Sequence, residues 1–173
     1  MKLVPLLARG LLAGALFALP VHTRAEGVVI PLHGFQEVPS ISTTARGSFT
    51  GYINDRAGSI HYVLRYDALQ GEVRQAHIHL GQRSVNGGVS VFLCQTAANP
   101  DPTGLAPTCP MTPARVSGVL TAANIIGPAG QGLAAGEFAE LVKAIRAGAA
   151  YVNVHSTTFP GGEVRGQTGH QGH

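Results

Sequence analysis

The feature that most constrains this chain is a series of short segments with β-type side chains, separated by turn residues. In residues 59–67 the apolar side chains recur at every second position, as on one face of a strand, and they are Ile60, Tyr62, Leu64 and Tyr66. Residues 46–53 form a similar segment, and the turn-forming residues 54–58 between the two predict a hairpin. Further strands are predicted at 28–33, 75–80, 88–94, 115–120, 150–155 and 163–168. Short strands at this spacing predict an all-β domain built as a Greek-key β-sandwich.

One segment departs from the β pattern. Residues 137–147 carry apolar side chains at the i, i+3, i+4 and i+7 positions of a helix, namely Phe138, Leu141, Val142 and Ile145. Glu137 and Glu140 come early and Lys143 comes late, as the helix dipole favours, and Gly148 follows as a stop. We therefore expect one short amphipathic helix that closes one end of the sandwich.

The N-terminal residues predict export. Lys2 and Arg9 are followed by an apolar run over residues 10–19, which is too short to span a bilayer, and by a small-x-small sequence before Glu26. This is the pattern of a secretory signal peptide over residues 1–25. The remaining chain is predicted to form one β-sandwich domain over residues 26–168 and a flexible Gly/His tail over residues 169–173. We expect a periplasmic or extracellular protein without a membrane span.

The charge of the mature chain excludes one class of partner. The full sequence has 12 basic and 9 acidic residues, and the predicted signal peptide removes three of the basic ones, Lys2, Arg9 and Arg24. Nine basic residues then stand against nine acidic ones, so the formal net charge is zero. A neutral domain has no basic stripe for a phosphate backbone, and we expect no nucleic-acid partner.

Cys94 and Cys109 flank a proline-containing loop. In an oxidising compartment such a pair predicts a disulfide. The alternative is a pair of thiolate metal ligands, although the intervening loop contains no histidine. A disulfide closing a loop of this size contributes on the order of 3 kcal/mol to stability in the chain-entropy model.

Three histidines lie on matching faces of two predicted strands. In residues 75–80 the apolar trio Ala76, Ile78 and Leu80 would face the core, which places His77 and His79 on the opposite, outer face. Residues 150–155 repeat this alternation and place Tyr151, Asn153 and His155 on the outer face. If the two strands share a sheet, the three imidazoles converge into one cluster.

Three neutral imidazoles with an open position are typical of a copper or zinc site, and copper binds more tightly by the Irving–Williams order. The chain has no histidine between His79 and His155, so a second metal lacks ligands and we expect a single ion. The alternative is that these are surface histidines hydrogen-bonded to neighbours. His33 and His61 are expected to be ordinary surface residues, and His170 and His173 to lie in the flexible tail.

Arg165 is the candidate catalytic residue. It follows the strand of His155 through a Pro-Gly-Gly turn, and with Val164 facing inward it lies on the outer face together with Glu163. An arginine beside an open metal position would attract a small anion. The alternative is a surface ion pair between Glu163 and Arg165.

Several strings in these segments resemble the CHRD (chordin) domain, from about Val29 to Gln167. They are LHGFQEVP at 32–39, AHIHLG at 76–81, NGGV at 86–89, YVNVH at 151–155 and PGGEVRGQ at 160–167. The family includes chordin, a secreted binder of growth factors, and stand-alone exported bacterial proteins. The resemblance therefore implies an extracellular or periplasmic domain, with a protein partner or a homo-oligomer as further expectations.

A second, weaker similarity is to copper/zinc superoxide dismutase, a Greek-key β-sandwich. In that family an HxH strand and a late strand supply copper ligands, and an arginine after a Gly-rich turn guides superoxide. The residues that match in order are His77, His79, His155 and Arg165. The bridging histidine and the zinc ligands have no counterpart in this chain.

Three functional classes follow from these residues. The first is an exported protein that binds a single copper-type ion through three histidines and can be redox-active. The second is a superoxide dismutase-like enzyme, which requires Arg165 within reach of the metal. The third is an extracellular adhesion or protein-binding module without a metal, which would be favoured by widely separated histidines.

Overall fold

The computed structural model describes residues 26–169, so the predicted signal peptide and residues 170–173 of the predicted tail lie outside the described residues. The described chain contains eight strands, one α-helix and short 3₁₀ turns. The strands are β1 (Glu26–His33), β2 (Arg46–Asn54), β3 (Ser59–Asp67), β4 (Val73–Leu80), β5 (Gly88–Cys94), β6 (Ala114–Leu120), β7 (Ala150–Ser156) and β8 (Val164–Gln167), and the helix is α1 (Phe138–Arg146). The prediction of an all-β domain with one short helix is confirmed.

All eight strands belong to one sheet, in the order β5-β4-β7-β8-β1-β2-β3-β6, and every pairing is antiparallel. The edge strands β5 and β6 contact each other, so the sheet is nearly closed and barrel-like. Its two four-stranded halves are linked between β1 and β8 by a single residue pair, His33 and Arg165. The halves therefore face each other across a common core, much as the layers of a sandwich do.

The core is made by the period-two faces that the sequence indicates. On β3, Ile60, Leu64 and Tyr66 are at most 1% exposed, and their neighbours on β2 and β6 bury the same face. Helix α1 buries Leu141, Val142 and Ile145 and lies against β7, so it packs on the core as predicted. Within the described residues, no helix is long and apolar enough to cross a membrane.

Cys94 and Cys109 are bonded to each other, as predicted, with their Cα atoms 5.0 Å apart. Cys94 ends β5, and the bond ties this strand to the loop that leads to β6. Asp101 organises that loop, because its carboxylate accepts hydrogen bonds from the backbone amides of Thr103, Leu105 and Ala106. The disulfide and this carboxylate together fix the long connection between the two edge strands.

Candidate metal centre

Strands β4 and β7 lie side by side, and their register brings the predicted histidines together. His79 pairs with Tyr151, His77 with Asn153, and Gln75 with His155. Side chains at these positions share one face, while Ala76 and Ile78 point into the core on the other. One nitrogen from each of His77, His79 and His155 lies within 4.8 Å of the others.

The face that carries the histidines is not open to solvent. The alternative of surface histidines is wrong, because His77, His79 and His155 are only 2%, 7% and 5% exposed. His77 packs edge-on against Phe92 of β5, with ring centroids 4.3 Å apart. Backbone carbonyls of the turns that follow β4 and β7 contact His79 and His155. These turns cover the cluster, which alternation within the strands does not reveal.

A hydrogen bond fixes the tautomer of His79, and two acceptors orient the ring of His155. Nδ1 of His79 lies 2.9 Å from the carbonyl oxygen of Gly87. A carbonyl only accepts, so Nδ1 of His79 is the donor and its neutral ring keeps the lone pair on Nε2. In His155, Nδ1 lies 3.0 Å from the carbonyl oxygen of Pro160 and Nε2 lies 3.0 Å from Asn153 Oδ1, so these two oxygens compete for the single proton of the ring. This second-sphere arrangement is common for histidines that bind a metal through Nε2.

The cluster contains buried nitrogen atoms that lack a partner. Within the described part of the chain, Nε2 of His77 and Nε2 of His79 are buried and make no hydrogen bond. Leaving a buried polar atom unpaired costs about 1–3 kcal/mol, so two such atoms in one cluster indicate a site for a ligand. Nε2 of His155 lies 3.2 Å from Nδ1 of His77, so the third ring belongs to the same cluster.

The rings are held in the neutral form that a metal requires. Burial lowers the pKa of His77 to about 2, with smaller contributions from the neighbouring His155 and His79. Burial likewise lowers the pKa of His155 to about 4, although its hydrogen bond to Pro160 opposes the shift. The pKa of His79 is lowered by burial and by the charge of Arg165. None of the three competes with a cation by holding a second proton at neutral pH.

The donor set fits a copper or zinc ion. Metal–nitrogen bonds of about 2.0–2.1 Å place tetrahedral ligands about 3.3 Å apart. The nitrogen atoms lie within 4.8 Å of one another, so no pair has to approach by more than about 1.5 Å to reach that spacing. Cys94 and Cys109 are bonded to each other, which removes the alternative of thiolate ligands.

Arg165 lies beside this cluster but behind an aromatic ring. Its Cζ atom lies 3.4 Å from the ring centroid of Tyr151, and Tyr151 stacks on His79 with centroids 4.7 Å apart and planes at 5°. Because β7 lies between β4 and β8, Tyr151 separates the guanidinium from His79. Arg165 is 1% exposed, and its Nη2 donates to the carbonyl of Val85 at 2.9 Å.

The surface ion pair between Glu163 and Arg165 is not formed. Both side chains are buried, at 0% and 1% exposure, and no salt bridge joins them in the described chain. Glu163 instead accepts hydrogen bonds from Thr43 Oγ1 at 2.7 Å and from the backbone amide of Gln70 at 2.9 Å. Its carboxylate therefore joins two loops, which explains why it is buried.

Glu37 and Asn153 belong to the surroundings of the cluster and were not predicted as functional residues. Asn153 Oδ1 lies 3.0 Å from His155 Nε2. Burial raises the pKa of Glu37 to about 7, while Arg165 and a hydrogen bond to Asn153 oppose this shift. Glu37 lies in the LHGFQEVP string, but only the fold of residues 34–45 over the sheet brings it to β7.

The remaining histidines match the sequence analysis where they are described. His33 and His61 are exposed on β1 and β3. His170 and His173 lie outside the described residues. The fold and the cluster thus define the class of protein: an all-β domain with one disulfide and a buried group of three histidines able to hold a metal ion.

The comparison with protein families identifies the family to which this domain belongs. The CHRD domain model matches residues 28–168, and the chain belongs to the CHRD domain family. Searches of curated proteins and of solved structures found no match. These comparisons give the resemblance to superoxide dismutase no support.

Proposed function

We propose that this chain is an exported CHRD-domain protein that binds a single copper-type ion through His77, His79 and His155. The observation that carries the proposal is the pair of buried, unpartnered Nε2 atoms on His77 and His79, in a cluster where one nitrogen of each of the three rings lies within 4.8 Å of the others. Backbone carbonyls already orient two of the three rings. The site is thus organised before any ion arrives.

Copper is the favoured ion because three neutral imidazoles bind it more tightly than zinc. Zinc is the alternative, since it accepts the same ligands. The cluster comprises these three histidines, with no further His, Cys, Asp or Glu of the described chain in the group. A bound copper ion supplies one-electron redox chemistry at an enclosed position, and this supports a redox role.

Export is supported by the disulfide. Cys94 and Cys109 are paired, as expected for a protein of an oxidising compartment. The N-terminal sequence pattern adds independent support for secretion to the periplasm or the extracellular space.

No structural observation favours the two alternative functions over metal binding. The guanidinium of Arg165 is bound to backbone carbonyls and stacked on Tyr151, so its role as a catalytic residue that attracts superoxide stays a prediction from the sequence. Widely separated histidines would have favoured a protein-binding module without a metal. The three histidines instead lie in one cluster.

Competition between the purified protein and a copper chelator tests the proposal. Changing His77, His79 or His155 to Ala should each weaken copper(II) binding at least tenfold, which corresponds to about 1.4 kcal/mol. The matched control is the double variant His33→Ala/His61→Ala, which removes two exposed imidazoles and should leave the affinity unchanged. Equal affinity in the cluster variants and the wild type would overturn the proposal. A parallel zinc titration shows which ion the site prefers.

A further inference from the structure

Residues 81–87, which connect β4 to β5, form the cover over His79. We call them the 81–87 loop. The carbonyl of Gly87 accepts the Nδ1 proton of His79, and the amide of Gly87 lies 3.2 Å from the hydroxyl of Tyr151. A side chain at Gly87 would clash, since a Cβ atom there would lie 1.7 Å from the carbonyl oxygen of Leu80. The orientation of His79 therefore depends on where this loop lies.

Arg165 holds the 81–87 loop from beneath, although it lies some 80 residues further along the chain. Its Nη2 donates to the carbonyls of Val85 at 2.9 Å and Gln82 at 3.3 Å, and its Nη1 donates to Asn86 Oδ1 at 3.3 Å. The guanidinium also lies over the ring of Tyr151, with Cζ 3.4 Å from the ring centroid. Few other side chains can reach several carbonyls in fixed directions while stacking on an aromatic ring.

Other contacts of the loop are a turn hydrogen bond from the amide of Val85 to the carbonyl of Gln82 at 3.2 Å and the bonds that hold Gly81 at its start. Residues 82–86 are exposed on their outer side, and the loop contains neither helix nor strand. One side chain of the loop makes a further contact: Asn86 Nδ2 donates a hydrogen bond to the carbonyl of Val38 at 2.8 Å. The conformation of the loop therefore rests chiefly on its ends and on Arg165.

We propose that Arg165 is a positioning residue of the metal centre, which acts through the 81–87 loop to fix the Gly87 carbonyl and thereby the tautomer and direction of His79. This inference rests on the proposed metal-binding function. It assigns to Arg165 a structural role toward the metal ligand, in place of an anion-attracting role toward a substrate.

Removing Arg165 has opposite effects on metal affinity, depending on whether the guanidinium positions His79 or acts only through its charge. Arg165 carries a positive charge next to His79, so by charge alone its removal would strengthen the binding of a cation. If the guanidinium instead holds the ligand in place, its removal weakens binding. Loss of a partner that orients a metal ligand typically costs 10–100-fold in affinity.

The test compares Arg165→Met, which removes the charge and the donors, with Arg165→Lys, which keeps the charge but loses the planar group. Copper(II) affinity is measured by chelator competition. We expect both variants to bind about tenfold more weakly or worse. The matched control is Arg74→Met: Arg74 also lowers the pKa of His155 through its charge, but it contacts Asn99 and not the 81–87 loop. This control should bind as well as the wild type or better.

Limited trypsin digestion at Arg83 gives a second readout that does not depend on a metal. Arg83 is exposed in the middle of the loop. Cleavage after Arg83 should be several-fold faster in both Arg165 variants than in the metal-free wild type or in Arg74→Met. Asn86→Ala leaves the buried arginine in place and removes two contacts of the loop, the one with Arg165 and the one with the carbonyl of Val38. It should show the same changes to a smaller extent even if the Arg165 variants fail to fold.

The outcomes are distinct. Weaker copper binding together with faster cleavage after Arg83 supports the inference. Unchanged or stronger binding in Arg165→Met, or a loss of affinity without faster cleavage, overturns it. If the wild type itself binds no copper, the proposed function fails, and the digestion still reports whether Arg165 holds the loop.

Discussion

Nδ1 of His77 lies 3.2 Å from Nε2 of His155, and the two residues are 78 positions apart in the sequence. When His155 donates its Nδ1 proton to the carbonyl of Pro160, the lone pair on its Nε2 can accept a hydrogen bond from Nδ1 of His77. A metal ion that takes this lone pair replaces the contact between the rings. In the metal-free fold, His77 and His155 thus hold each other in place.

The first prediction concerns the pH dependence of copper binding. Protons compete for the ligand nitrogens only below the pKa values of the folded protein, which are lowered to about 4 for His155 and about 2 for His77. The affinity should therefore change little between pH 7 and pH 5 and fall as the pH drops through about 4. Exposed histidines would lose affinity already near pH 6.5. Chelator competition across this range measures the difference, and a decline centred near pH 6.5 would contradict the assigned burial of the site.

The second prediction concerns Glu37, whose pKa is raised by burial from 4.5 to about 7. Between pH 4.5 and about pH 7, the folded state holds a proton on the Glu37 carboxyl and the unfolded state does not. The contribution of Glu37 to stability is therefore fully present below pH 4.5 and is lost as the pH rises through about 7. Glu37→Gln mimics the protonated group at every pH. The free energy of unfolding of the variant relative to the wild type should increase by on the order of 2–3 kcal/mol from pH 4.5 to pH 8. Urea titrations at the two pH values measure this, and a constant difference would show that Glu37 titrates normally.

The third prediction uses two glycines. A Cβ atom at Gly87 would overlap the carbonyl of Leu80, whereas nothing lies within 4 Å of one at Gly130. Gly87→Ala should lower the free energy of unfolding by at least about 2 kcal/mol and weaken copper binding, because the loop must move away from His79. Gly130→Ala should change neither quantity. If Gly87→Ala bound copper normally, the carbonyl of Gly87 would not be needed to orient the ligand.

The fourth prediction concerns the disulfide. Replacing Cys94 and Cys109 together by Ala should cost about 3 kcal/mol of stability, because the bond closes a loop with a sequence separation of 15. Copper affinity of the folded variant should be unchanged, since neither sulfur is a ligand. Labelling of the unreduced, denatured wild type should find no free thiol. Two free thiols in protein from an oxidising compartment would contradict the pairing.

Much of the fold could be predicted because it depends on local pattern. Alternation in β3 and the stripe of α1 decide which faces are buried, and the described strands and helix agree with them. The histidine cluster was also accessible from sequence, since His77 and His79 must share a face and His155 occupies the matching face of β7. These inferences need only the period of a strand and the assumption that two strands are neighbours.

The features that could not be predicted depend on contacts between segments that are distant in the sequence. The burial of the histidines comes from the turns that follow β4 and β7, and the role of Arg165 comes from carbonyls some 80 residues away. Backbone carbonyls have no signature in the amino-acid sequence. The single pair that links β1 to β8, which makes one sheet of two halves, also depends on the global arrangement and not on local alternation.

The central claim is that three imidazoles hold one ion, and electron paramagnetic resonance of the protein titrated with copper(II) tests it most directly. Samples in which the histidine nitrogens are isotopically labelled allow the bound nitrogens to be counted. The account predicts one tightly bound copper(II) per chain with three imidazole nitrogens, and two in each single variant of His77, His79 or His155 that still binds copper. A wild-type signal with fewer histidine nitrogens, or one that is unchanged in these variants, would contradict it.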